Sequence, residues 1–343
     1  MKKSKNNNNI LNYIFTYVSF RINALIGVTT QKIYLGKGSS TLNKNYTRND
    51  FLTIINYTDR DEDHKKNLEK LDISLCRYKD VYPYKKNVIP ISTDHKYINA
   101  SFINIFFKNS FIASQGPNDN TIDDFWTMCF EQKVSRILML CNEVEDNKKK
   151  RSNYWDSKMI SKNFINQGTE IVDIGQDTNN IIEKKTIKIF NKTTNETREF
   201  HHMHFKKWPD HSTPNIRNVV FLFEKLFNFV NERYNNNNNN NNNKNKNKDN
   251  QIQTPNPPVV VHCSAGIGRT GVFLTLYAIC QEIKNQIEKP SSDTIIFNVF
   301  NFVRKLKEMR LFSVENINQY NFIYNFIEEY LKEKNTQNQG NKN

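Results

Sequence analysis

Val259-Val260-Val261-His262-Cys263-Ser264-Ala265-Gly266-Ile267-Gly268-Arg269-Thr270-Gly271 is the stretch from which the rest of the chain can be read. Three β-branched residues after Pro257-Pro258 have the composition of a strand buried on both faces, and the apolar spacing from Val272 to Ile283 is helical. The residues between them therefore form a strand-to-helix turn, in which Gly266 and Gly268 permit a tightly curled backbone. Its N–H groups, reinforced by the positive end of the following helix, make a nest for an oxyanion of phosphate geometry. Arg269, six positions after Cys263, is spaced to close the ring with a planar fork that takes two phosphate oxygens. The same field favours the thiolate form of a cysteine at the base of the cradle. A nucleophile and a phosphate holder in one loop point to attack on phosphorus and a phosphocysteine intermediate. The bland alternative, an inert buried cysteine beside a glycine turn, leaves His262, Arg269 and Thr270 without a role.

The decapeptide from His262 to Gly271 resembles the signature loop of the cysteine-dependent, non-receptor-like protein tyrosine phosphatases. The resemblance implies that Ser264, Ala265, Gly266, Ile267 and Gly268 bind the phosphate, with His262 and Thr270 in support. Trp208-Pro209-Asp210, before Pro214, is by itself a Pro-Asp turn. Beside the signature loop it is similar to the family's mobile acid loop, so Asp210 becomes the general acid that an oxygen leaving group needs, and loop closure excludes water. Arg77-Tyr78-Lys79-Asp80 is similar to the family's substrate-recognition loop, which implies that Tyr78 stacks on the phosphotyrosine ring and Asp80 binds substrate backbone; Cys76 stands where the family often has Asn. Tyr97-Ile98-Asn99-Ala100-Ser101 and Gln115-Gly116-Pro117 look like family motifs that support the fold. Lys150, within Lys148-Lys149-Lys150-Arg151, resembles a lysine that reaches the closed acid loop, although a solvated patch or nuclear address fits this run equally well.

Met309-Arg310-Leu311-Phe312-Ser313-Val314-Glu315-Asn316-Ile317-Asn318-Gln319-Tyr320 resembles the family's glutamine loop, with Gln319 matching one glutamine. The stretch between Arg310 and Val314 is short and lacks the usual Gly, and Glu315 stands where the family has the Gln that positions the hydrolytic water. A carboxylate about 5 Å from a dianionic phosphocysteine repels it by several kcal/mol at an effective dielectric of about 20. Dephosphorylation of Cys263 is therefore expected to be slower than its formation.

A net charge of +14 over 343 residues favours anionic partners, though lysines diluted among asparagines supply part of it. The partners expected are phosphotyrosine-containing proteins rather than nucleic acid. The five cysteines are scattered without a CxxC pair, which fits a reducing, cytoplasmic setting rather than a disulfide framework. Ile10 to Phe20 is too short and too polar to span a bilayer, so no stable membrane insertion is expected. His202 and His204 share one strand face, with His201 on the other, and lack a neighbouring ligand cluster. No metal or other cofactor is expected, because the cradle and Arg269 supply the electrostatics that Mg²⁺ gives a kinase.

The resemblance runs from about Arg77 to Tyr324 and implies an α/β fold, a twisted mixed β-sheet flanked by helices with the phosphate loop between a central strand and a helix. Residues 1–45 read as an extension, partly helical or disordered, with a helical spacing in Ile10, Ile14, Val18, Ile22 and Leu25. Residues 46–334 form the catalytic domain, with a dispensable, disordered Asn-rich insertion at 235–250, and 335–343 form a polar tail. Within the domain, Tyr97–Ile103 and Phe111–Gln115 read as paired strands turning around Lys108-Asn109, Asp123–Phe130 as a helix and Arg136–Cys141 as a buried strand. Thr186–Phe190 and Arg198–Phe205 read as a hairpin, with helices over Asn218–Tyr234, Asn298–Met309 and Asn318–Lys334. Two other functions fit the same motifs: a phosphotyrosine-binding protein with a catalytically weak site, and a dual-specificity or lipid phosphatase.

Overall fold

A computed structural model describes residues 30–34, 42, 47–58, 72–156, 158, 161–214, 218–232, 257–288 and 294–340. The run from Met1 to Thr29 and the Asn-rich segment 235–250 lie outside them, as do the expectations that fall there. Strand β1 (Gln31–Tyr34) and helix α1 (Thr47–Thr58) precede β2 (Val88–Pro90), β3 (Tyr97–Ile105) and β4 (Phe107–Ser114). Helix α2 (Ile122–Glu131) leads to β5 (Arg136–Met139) and the hairpin of β6 (Val144–Glu145) and β7 (Lys148–Lys149). Then come β8 (Phe164–Asp173), β9 (Ile182–Asn191), β10 (Glu196–Phe205) and helix α3 (Val219–Asn231). Strand β11 (Val259–His262), helix α4 (Gly268–Glu288), β12 (Thr294–Phe297), α5 (Val299–Met309) and α6 (Ile317–Gly340) complete the described chain.

Eight strands form one mixed sheet in the order β2-β3-β4-β11-β5-β10-β9-β8. Strand β11 lies between β4 and β5, parallel to both, and β10 runs parallel to β5; the outer pairs are antiparallel. The valine run explains this placement, since Val259, Val260 and Val261 are at most 1% exposed and bury both faces of the strand. Burying each such side chain contributes about 1.5–3 kcal/mol. Helix α4 is buried at every position from Gly268 to Cys280, as an apolar surface on all sides requires. The signature loop is therefore fixed at both ends by core elements.

Several expectations are refined. The β3–β4 reversal falls at Phe106, which takes a φ of 63° while Ile105 pairs with Phe107, rather than at Lys108-Asn109. Strand β8, absent from the sequence reading, adds an outer edge to the β9–β10 hairpin. Its alternation is hidden because both faces are largely solvated and Gly168 interrupts it. Inside the stretch read as an N-terminal extension, β1 pairs antiparallel with β12, and Leu42 joins the core. Helix α6 continues to Gly340, past the Lys334 at which the sequence reading ended it. Among the described residues no helix is long and apolar enough to cross a membrane.

Candidate active site

The signature loop leaves β11 at the C-terminal edge of the sheet and enters α4. Gly266 takes a φ of +71°, and a Cβ there would lie 2.1 Å from Ser114 O, so only glycine fits. The loop carbonyls face outward and are all bonded. Ser264 O accepts from Gly116 N at 2.8 Å, and Ile267 O accepts from Gly271 N at 2.9 Å and Val314 N at 3.2 Å. Arg310, fully buried, donates to Ala265 O at 3.0 Å and Gly266 O at 2.7 Å. In a trans peptide the N–H lies opposite the C=O, so outward carbonyls turn the following N–H groups into the cradle.

Arg310 also donates to Ser101 Oγ at 3.1 Å and Asn99 Oδ1 at 3.0 Å. Burial lowers its pKa to about 10, which leaves it charged at neutral pH. Replacing Arg310 by Ala strands these acceptors at about 1 kcal/mol or more each, so a loss of roughly 4 kcal/mol in denaturant unfolding is expected, together with loss of the phosphate site. Wild-type stability in that variant would show that the loop holds its shape without it.

Arg269 sits 2% exposed at the base of the cleft. Its Nη1 donates to Glu145 Oε1 at 2.8 Å, Glu145 Oε2 at 2.9 Å and Trp208 O at 2.9 Å, and its Nη2 donates to Asp210 Oδ1 at 2.9 Å. Burial opposes its charge, but Cys263 and Glu145 outweigh that and hold the guanidinium more firmly protonated than usual. Glu145 was not singled out in the sequence. It reaches Arg269 because Asp146 and Asn147 both take positive φ, 49° and 56°, closing the two-residue turn between β6 and β7. The adjacency of Asp-Asn to Val144-Glu145 was the available signal.

Asp210 closes the cleft from above, bonded to Arg269 and to Lys150 Nζ. Burial acts to raise its pKa, yet the Lys150 hydrogen bond and the charges of Arg269 and His211 hold it below the usual carboxylate range. Lys150 is 4% exposed, which sets aside the solvated-patch reading for this residue; its neighbour Lys149 does face solvent, paired with Asp119. Trp208 is buried, and its Nε1 donates to Ser212 O at 3.2 Å, fastening the acid loop at its root.

His262 is buried, and burial pushes its pKa down to about 3, so the ring is neutral. Its Nδ1–H donates to Cys263 O at 3.2 Å, and its Nε2 accepts from the Tyr154 hydroxyl at 2.8 Å. The Tyr154 oxygen lies 2.9 Å from Nε2 of the buried, neutral His202. This chain orients the signature loop from behind. Tyr154 was given no role from the sequence.

Tyr78 stands at the rim, its hydroxyl 2.9 Å from Ser264 Oγ, which also donates to Lys150 O at 3.1 Å. Asp80 lines the same cleft. The departure at Cys76 does not leave this loop unanchored. Arg77 N donates to Gln115 Oε1 at 2.8 Å, the Arg77 guanidinium donates to Gly116 O and Pro117 O, and Asn99 Nδ2 donates to Val81 O at 2.6 Å. Asn99 and Gln115, expected to support the fold, thus hold the recognition loop as well.

Glu315 and Gln319 line the cleft beside Gly268, where a Cβ would lie 2.8 Å from Gln319 Nε2 and 2.9 Å from Glu315 Oε2. Gln319 Oε1 accepts from Glu315 N at 2.8 Å, while its buried Nε2 has no protein partner among the described residues. Phe312 and Val314 take φ of 61° and 58°, left-handed conformations for which glycine is the easier choice. Thr270 is fully buried behind the loop. The cleft measures about 250 Å³; a larger one of about 590 Å³ elsewhere has no cysteine in its lining, and its Arg198 is paired with Glu196.

Residues 72–329 match the family described as protein-tyrosine phosphatase. The chain belongs to that family. Among curated phosphatases, human tyrosine-protein phosphatase non-receptor type 9 is 34% identical over 243 residues, 71% of this chain and 38% of its own length. Rat tyrosine-protein phosphatase non-receptor type 20 is 30% identical over 275 residues, 79% of this chain and 58% of its own length. This phosphatase-family chain thus spans only part of those relatives. The crystal structure of the catalytic domain of human protein tyrosine phosphatase non-receptor type 18 shares the fold, with a TM-score of 0.65 over 84% of this chain and 96% of that one at 24% identity.

Proposed function

We propose that the chain hydrolyses phosphotyrosine in proteins through a phosphocysteine intermediate and so acts in signalling. The carrying observation is that Cys263, Arg269 and Asp210 line one cleft with Tyr78 at its rim. In the first step Cys263 Sγ attacks phosphorus and the bond to the tyrosine oxygen breaks, with Asp210 giving that oxygen its proton. Arg269 and the cradle N–H groups hold the phosphoryl oxygens as charge redistributes. In the second step water attacks phosphorus, Asp210 takes up a proton, and the S–P bond breaks to release phosphate. Free, buried cysteines accord with a cytoplasmic setting.

Turnover of a phosphotyrosyl peptide against its phosphoseryl counterpart, with chelator present, tests the reading. Release of phosphate from the first alone is expected, because Tyr78 stands where a long aromatic side chain enters. Comparable rates on both would favour a dual-specificity enzyme, and binding without turnover would favour a catalytically weak phosphotyrosine reader.

Glu315 lines the cleft in which the phosphocysteine would form, with His211 Nδ1 3.1 Å from its Oε1. Repulsion by its carboxylate slows the second step. Pre-steady-state kinetics should show a burst of released phenol, and Glu315→Gln should raise kcat by a few fold, roughly 1 kcal/mol, and shrink the burst. An unchanged or lower kcat in that variant would mean that the carboxylate serves the second step rather than opposing it.

A further inference from the structure

Asp210 and Glu315 lie on separate loops, and one side chain joins them. His211 Nδ1 is 3.1 Å from Glu315 Oε1, and His211 Nε2 is 3.5 Å from Asp210 Oδ2. Asn316 Nδ2 donates to His211 O at 3.1 Å, so backbone and ring of one residue are both held by the opposite loop. His211 takes a φ of 51°, a conformation unfavourable for a residue with a Cβ, which these contacts offset. The loop on the other side is itself fixed to the signature loop, through Val314 N to Ile267 O at 3.2 Å and Glu315 N to Gln319 Oε1 at 2.8 Å.

We propose that Glu315 and His211 form a tie between these loops that positions Asp210 over Cys263 for proton transfer; the inference rests on the phosphatase reading above. Asp210 is otherwise held by Lys150 and Arg269. A bound phosphoryl group takes the Arg269 fork for its own oxygens, which releases Asp210 from one of those two cations. At that moment Lys150 and the tie keep the acid loop down. Glu315 and His211 are thus positioning residues that act on the leaving-group proton through Asp210.

The test uses Glu315→Ala, His211→Ala, the double variant and Glu315→Gln in the full chain. With a phosphotyrosyl peptide, each alanine variant should slow the burst by about fivefold, the upper range for a partly exposed polar contact. With dinitrophenyl phosphate, whose leaving group needs no proton, the loss should be under about twofold. Glu315→Gln, whose amide oxygen can keep the contact with His211 Nδ1, should keep the wild-type ratio between the two substrates. The double variant should be no slower than the slower single one, as expected of two residues in one contact. Equal losses on both substrates, or additive losses, would overturn the tie. Amide exchange at His211 and Ser212, measured without substrate, should rise in both alanine variants, and unchanged exchange would overturn it too. Absence of Cys263-dependent turnover in the wild type would instead sink the phosphatase reading, with exchange still deciding whether the loops are joined.

Discussion

Cys263→Ser is expected to abolish turnover, by on the order of 10⁵-fold or more, the scale seen when a nucleophile that works as part of a unit is removed. The loss follows from what surrounds the side chain. A serine hydroxyl must give up its proton to attack phosphorus, and the cleft offers no base for it. His262 cannot serve, since burial makes its ring a weak base and both ring nitrogens are engaged behind the loop. In the proposed mechanism Asp210 is required as the acid in the same step. The cradle carbonyls and Arg310 are untouched, so the variant should fold normally and still capture phosphotyrosyl peptide. Folded protein with no phosphate release is the expected pair of measurements; retained activity would mean that the chemistry lies elsewhere.

Asp210→Asn should lower kcat on phosphotyrosyl peptides by about 10²–10⁴-fold, the range for losing a positioned general acid. Asparagine still offers an oxygen to Lys150 or Arg269, so little change in stability is expected. The effect also has a pH signature. In the free protein Asp210 is held ionised by Lys150 and Arg269. A phosphate dianion occupies the arginine and adds negative charge, and both changes favour a proton on the carboxyl in the complex. The wild-type kcat should therefore fall as pH rises through the bound-state pKa of Asp210, and the asparagine variant should lose that alkaline limb. A variant that keeps the limb would assign the proton to another group.

These expectations rest unevenly on sequence and on tertiary structure. The valine run, the curled turn and the buried helix were legible because each is a local property: β-branched composition, glycine at a left-handed φ, and helical apolar spacing within one continuous stretch. The β9–β10 hairpin was legible for the same reason, its turn closed by Asn191 Oδ1 accepting from Thr193 N at 2.9 Å. Chemistry with a short sequence spacing, such as Cys263 to Arg269, belongs to the same class. Strand β8 was not legible, because an edge strand solvated on both faces carries little hydrophobic alternation.

The partners of Arg269, the signature loop and the acid loop came only with the fold. Glu145 meets Arg269 across 124 positions, Arg310 reaches Gly266 across 44, and His211 meets Glu315 on a different loop. Nothing local marks a carboxylate or an arginine as a partner of a distant loop; the same residues on a solvated face would read identically. Sequence by itself determined the order of strand, turn and helix and set Cys263, the glycine turn and Arg269 on one continuous loop, since those depend on neighbouring residues. Tertiary structure alone decided which charges hold Arg269, what turns the cradle's N–H groups inward and what fastens Asp210 over the cleft, because each is a pairing between segments that only the packed sheet and helices bring within hydrogen-bonding distance.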